Sequence, residues 1–183
     1  MRTTLVLIAL LAFSVVGCTA QDAKPADDTD SQPLLKVKSD EELSEKPQAE
    51  DIDYELGTWI TDYNAALQYA KALDRPIMAN FTGSDWCPWC FKIRDEILVK
   101  EAFKAYARDN LVLLTLDFPR QKKLPQAEVD QNNRLLQQFD VSGFPTIMLI
   151  DSNGKEIART GYQPGGAEPY VKHLKSLLAK KSE

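Results

Sequence analysis

The sequence predicts an α/β fold, a central mixed β-sheet flanked by helices. Three observations predict it. Two nearly continuous apolar runs, residues 111–116 and 145–150, read as strands covered on both faces. Around them apolar residues recur at helical spacing. The turn Asp151-Ser152-Asn153-Gly154 then sends the chain back along the second run as an antiparallel partner, which makes the sheet mixed. The segment 52–183 is long enough for one compact domain with a real core.

Taken in order, Trp59 and Ile60 form a short opening strand. Asp62 stands where a helix N-cap belongs, before the helical pattern of Ala65, Ala66, Leu67, Tyr69, Ala70 and Leu73. Arg75-Pro76 ends that helix, because the residue before proline is pushed out of the α region. Residues 77–81 are a short apolar strand. After Cys87 and Cys90, the residues Phe91, Ile93, Ile97 and Leu98 recur at helical spacing, and a second helical piece runs through Ala102, Phe103 and Tyr106. Residues 119–129 form a polar, lysine-bearing loop, and 132–139 a helix. Gly165-Gly166 precedes the last helix, with Pro169 near its first turn and Val171, Leu174, Leu177 and Leu178 inward. His173, the only histidine, falls on the solvated face of that helix beside Lys172.

The N-terminal 51 residues have a different character. Met1-Arg2 is a short basic start, and the apolar run 5–16 is too short to span a bilayer, which needs about 20 residues. Residues 1–17 therefore read as a signal peptide. The tetrad Val15-Val16-Gly17-Cys18 resembles the bacterial lipobox. That resemblance implies diacylglycerol and palmitate attachment at Cys18 after cleavage before it, and Thr19 in place of an aspartate leans towards the outer membrane. Residues 18–51 read as a disordered acidic tether. The stretch 19–50 carries nine acids against four lysines, three prolines and no aromatic residue, too little apolar surface to offset its ordering entropy. Such a tether spans about 30 Å on average and at most about 110 Å fully extended. Residues 51–183 hold 18 acids and 17 bases, a balance that argues against nucleic-acid binding.

Trp86-Cys87-Pro88-Trp89-Cys90 carries the chemistry. Two thiols three positions apart can close across one helical turn and reopen with little backbone movement. In the loop-entropy account a ring of about four residues stabilises by only about 2 kcal/mol, so the spacing suits a reversible switch better than a strut. A minor local clip or half of a metal site remain open on spacing alone.

A dithiol directly after a strand and opening a helix, with Val141-Ser142-Gly143-Phe144-Pro145-Thr146 before a later strand, resembles the thioredoxin family. The stretch Phe-Thr-Gly-Ser-Asp-Trp-Cys-x-x-Cys, residues 81–90, is similar to its exported, lipoprotein-type bacterial branch. The likeness runs from about Trp59 to Lys180. It implies a thioredoxin-like fold for 52–183, with Cys87 as solvent-facing nucleophile and Cys90 as resolving thiol. It also implies a cis Pro145 at the substrate groove, with Phe144, Trp86 and Trp89 positioning substrate. No cofactor beyond the redox-active disulfide is implied, and no metal. Two departures stand out: Asn80 occupies the place of the family's buried aspartate, and the dipeptide between the cysteines is Pro88-Trp89. A reduction potential between about −270 and −120 mV is expected.

The function expected is a thiol–disulfide oxidoreductase of the bacterial cell envelope, lipid-anchored on the periplasmic side and reducing protein disulfides. Its partners would be protein substrates, a separate electron donor and the membrane, with no nucleic acid, and the chain would act as a monomer. Two other classes are open. A redox-inactive binding or chaperone module could use the groove beside Phe144-Pro145. A metal-handling protein would need more ligands than two thiols.

Overall fold

The computed structural model describes residues 53–179. The expected signal peptide 1–17, Cys18 and the expected tether 18–51 lie outside them. The elements run β1 (Trp59–Ile60), α1 (Tyr63–Leu73), β2 (Ile77–Thr82), α2 (Pro88–Ile93), α3 (Glu101–Asn110), β3 (Val112–Asp117), α4 (Gln126–Gln138), β4 (Thr146–Ile150), β5 (Glu156–Thr160) and α5 (Ala167–Ala179). They build one five-stranded sheet in the order β1-β3-β2-β4-β5. β1, β3 and β2 are parallel, whereas β4 runs antiparallel to β2 and β5 antiparallel to β4, giving the expected mixed sheet.

Strand alternation divides the core in two. Ile77, Ala79 and Phe81 of β2 join Val112, Leu114 and Leu116 of β3 under α1 and α4. Met78, Leu113, Ile147 and Leu149 face the other way, under Ile93 of α2, Phe103 of α3 and Tyr170 and Leu174 of α5. Asn80 pairs in register with Thr115 and Ile147 and so belongs to this second face, beneath α2. The continuous apolar character of β2 to β4 follows from this double coverage.

α1 begins as its sequence implies: the Asp62 side chain accepts the Ala65 N–H at 2.8 Å. It ends at Asp74, whose left-handed backbone (φ 54°) lets its N–H reach the Ala70 carbonyl before Pro76. Three sequence expectations need correction. α4 starts at Gln126, six residues earlier than the apolar period indicates. Its first turns are fastened by polar groups instead: Gln131 accepts the Tyr63 N–H and donates to the Thr61 carbonyl, and buried Asn132 donates to the Asp117 carbonyl. After α2 the chain does not continue as a regular α-helix. It widens into a π-helical turn, Arg94–Leu98, with the Val99 N–H bonded to the Arg94 carbonyl, and this wide turn buries Ile97 and Leu98 together. Finally, His173 is half-buried, with Nε2 2.9 Å from Thr160 Oγ1. α5 covers the edge strand β5 with a stripe wide enough to include this residue beside buried Tyr170.

No helix among the described residues is long and apolar enough to cross a membrane.

Asp62→Ala removes the side-chain acceptor at the start of α1 and should cost about 1 kcal/mol, read as a lower urea midpoint at unchanged slope.

Candidate active site

β2 delivers the chain into a tight turn, Gly83-Ser84-Asp85-Trp86, from which Cys87 caps α2. Pro88 occupies the first helical position, where its missing N–H costs nothing. Cys87 and Cys90 form a disulfide with Cα atoms 5.2 Å apart. The Cys90 N–H, which donates to the Cys87 carbonyl at 3.0 Å, also points at Cys87 Sγ, at 3.2 Å, so the helix start directs a donor at the sulfur where a thiolate would develop.

The turn is held by an exchange with the segment that follows β3. Asp117, only 6% exposed, accepts Ser84 N–H at 2.9 Å and Ser84 Oγ–H at 2.6 Å. In return the Asp85 carboxylate accepts the backbone N–H groups of Arg120, Gln121 and Lys122 at 2.9, 2.7 and 2.9 Å. Those backbone donors hold the Asp85 carboxyl below the usual aspartate range. Trp86 Nε1 donates to the Phe118 carbonyl at 2.7 Å, and its ring meets Phe144 edge-on at 5.9 Å. Gly83 has no room for a side chain, since a Cβ there would lie 2.5 Å from that indole.

The Phe144–Pro145 bond is cis, as the family resemblance implied. The β2–β4 register sets Phe81 opposite Thr146, so Pro145 lies one step further, level with Thr82 at the end of β2. Gly161, after β5, fits closely against the Pro145 carbonyl, where a Cβ would sit 3.2 Å away. Next along, Tyr162 tilts over Trp89 with ring centroids 5.5 Å apart. The Tyr162 hydroxyl donates to Glu96 at 2.6 Å, which raises its pKa above the ordinary phenol value.

Sequence reasoning thus finds Cys87, Cys90, Trp86, Phe144, Pro145 and Trp89 grouped at one end of the sheet. One expectation fails. Cys87 is not solvent-facing in this oxidised form but only 3% exposed, because its sulfur is bonded to Cys90 and turned over the start of α2. Trp89 stands out instead, 55% exposed. Cys18 lies outside the described residues. Sequence reasoning missed Asp85, Asp117, Arg120 and Tyr162. Asp85 adjoins the cysteine motif and could have been flagged, whereas the others depend on pairings 32 or more residues distant.

Asn80 lies where the resemblance set it. It is 8% exposed, and its Oδ1 has no hydrogen-bond partner among the described residues. It lines a cleft of about 380 Å³ with Thr82, Thr115, Trp59, Leu98 and Cys90. Among the described residues, no group of three or more His, Cys, Asp or Glu side chains could hold a metal ion.

A cysteine pair closed across the first turn of a helix, at the end of a central strand and level with a cis-proline, defines a thiol–disulfide exchange protein of the thioredoxin type. The chain belongs to the thioredoxin-like domain family, whose profile matches residues 63–175. It is similar to the disulfide bond reductase DsbH of Chlamydia pneumoniae, with 42% identity over 116 residues covering 63% of this chain and 70% of that one. It is also similar to the thioredoxin-related protein DsbJ of the same organism, 30% identical over 113 residues, 62% of this chain but only 32% of DsbJ. A solved structure of a DsbH oxidoreductase superposes with a TM-score of 0.65 at 36% identity, covering 81% of this chain and 95% of that chain.

The Asp85 geometry is testable by pH. A carboxyl whose folded pKa is depressed contributes stability above its unfolded pKa and loses it as pH falls through the folded value. The amide NMR shifts of Arg120, Gln121 and Lys122 should therefore titrate together, with a midpoint below the ordinary aspartate value. Asp85→Asn should abolish that shared titration.

Proposed function

We propose that this protein is a thiol–disulfide oxidoreductase that reduces protein disulfides through Cys87 and Cys90. The observation that carries the reading is the Cys87–Cys90 disulfide at the start of α2, with the Cys90 N–H directed at Cys87 Sγ. Homology to a protein named a disulfide bond reductase supports the reductive direction.

In the reduced protein the Cys87 thiolate, stabilised by that N–H, attacks one sulfur of a substrate disulfide. A mixed disulfide forms and the other substrate sulfur leaves as a thiolate, which takes up a proton. Cys90 then loses its proton and attacks Cys87 Sγ, releasing the second substrate thiol and closing Cys87–Cys90. Two electrons pass from the protein dithiol to the substrate, and a separate donor must return them. Asn80 cannot take the Cys90 proton, since a carboxamide is not a base at neutral pH. The proton leaves instead to solvent through the cleft that Asn80 and Cys90 both line. Phe144, Pro145, Trp86 and Trp89 frame the approach of substrate.

The reading includes the placement of this chemistry. Cys18 carries a diacylglycerol and palmitate, the domain 52–183 hangs on the tether 18–51 in the periplasm, and the outer membrane is favoured. The lipobox-like Val15-Val16-Gly17-Cys18 and the acidic composition of 19–50 support it.

Cys87→Ser should abolish insulin reduction in the presence of dithiothreitol, seen as lost turbidity. Cys90→Ser should instead accumulate a covalent adduct with insulin at Cys87, visible on non-reducing gels. Insulin reduction undiminished in Cys87→Ser would favour a redox-inactive binding module on the same scaffold. Cys18→Ser, expressed with its leader, should lose radiolabelled palmitate and move from the membrane to the soluble envelope fraction.

A further inference from the structure

We propose that the dithiol face receives acidic polypeptide, so that, given the oxidoreductase reading above, the protein selects disulfides flanked by Asp and Glu. Each indole next to an active-site cysteine carries a cation. The Arg120 guanidinium lies 3.8 Å over the ring of Trp86, the residue before Cys87. The Lys92 ammonium lies 5.2 Å from the ring of Trp89, the residue before Cys90, and 5.0 Å from that of Tyr162.

Neither position is accidental slack in a loop. Asp85 pins the backbone of residues 120–122 through three N–H groups, and this fixes where Arg120 emerges. Tyr162, Glu96 and Lys92 are similarly tied, with the Tyr162 hydroxyl on Glu96 and Lys92 Nζ 3.9 Å from Glu96.

The acids of this rim are already engaged. Asp85 holds backbone N–H groups, Asp117 holds Ser84 with Lys122 at 3.9 Å, and Glu96 holds Tyr162 and Lys92. Among the described residues, the Arg120 guanidinium and the Lys123 ammonium make no ion pair or side-chain hydrogen bond, and both residues are exposed. A guanidinium held over an indole by its central carbon, with no other partner among the described residues, still offers its N–H groups to a carboxylate, which it can grip with two parallel bonds. Beside it, Lys122 and Lys123 join Phe118, Pro119, Leu124 and Val129 around a cleft of about 420 Å³ that can take an apolar side chain of the same segment. The excess of free cations is local, because residues 51–183 as a whole balance 18 acids against 17 bases. It therefore matches a few carboxylates beside a disulfide better than a polyanion.

The test uses the full chain, reduced beforehand, and three disulfide-looped peptides of identical length flanked by Glu, Ser or Lys. Second-order rate constants for peptide reduction are followed by quenching and chromatography. In each turnover Cys87 and Cys90 become a disulfide, and the peptide gains two electrons and two protons as two thiols. At low ionic strength the Glu peptide should react about tenfold faster than the Lys peptide, and the ratio should fall towards one in about 0.5 M salt. Arg120→Gln and Lys92→Gln should each lower the ratio about threefold, while Arg120→Lys keeps most of it. A ratio near one at low salt overturns the proposal, as does a ratio that neither glutamine variant changes. Because a ratio is read, a general loss of rate in a variant does not imitate the effect. The salt series on the unmodified protein decides the matter if a variant fails to fold. If not even the Ser peptide is reduced, the oxidoreductase reading itself fails, and selection by charge goes with it.

Discussion

Everything at the business end of this molecule hangs on two aspartates that grip each other's loops. Asp117, at the end of β3, takes two hydrogen bonds from Ser84; Asp85, in the turn after β2, takes three from residues 120–122. The Phe118 N–H adds a bond to the Thr82 carbonyl between them. Parallel strands end side by side, and their following loops would otherwise be the least constrained parts of the chain. Here the reciprocal grip converts both into one rigid platform. Asp117 can be nearly buried because its oxygens meet Ser84 and the Lys122 ammonium, so its desolvation is offset where it occurs.

On that platform the aromatic residues form a frame in which each member has a structural partner. Trp86 is fixed by its N–H to Phe118 and by its edge-on contact with Phe144, and Phe144 precedes the cis-proline. Trp89 has only Tyr162 and Lys92 beside it and remains largely in solvent. One wall of the groove is therefore packed into the protein, and the other presents an exposed indole. Such a combination suits an enzyme that must align two sulfurs along one axis while accepting varied polypeptide around them.

The strands and the dithiol were readable from sequence because their signals are local. Residues 111–116 and 145–150 are apolar on both faces since helices cover both, and the capping role of Asp62 needs only three residues of context. Cis-Pro145 was readable only through its resemblance to a family, since nothing local separates it from a trans proline starting a strand. What stayed hidden depends on distant partners. The first turns of α4 are attached by Gln131 and Asn132, so they carry no apolar period to detect. Arg120 has no meaning in sequence until the Asp85 carboxylate carries it to Trp86. The burial of Cys87 belongs to the closed disulfide rather than to any pattern of neighbours.

The π-helical turn at Arg94–Leu98 has a consequence for how this chain tolerates changes of length. A π turn is an α-helix with one residue more than its rise requires. Deleting a residue there would let the helix close regularly while Cys90 at one end and Val99 at the other kept their orientations. The loss would be one apolar anchor, Ile97 or Leu98, both buried. The dithiol thus stands at the start of α2 and the spare residue in the π turn that follows that helix, so a one-residue length change would be absorbed about two turns from the reacting sulfurs.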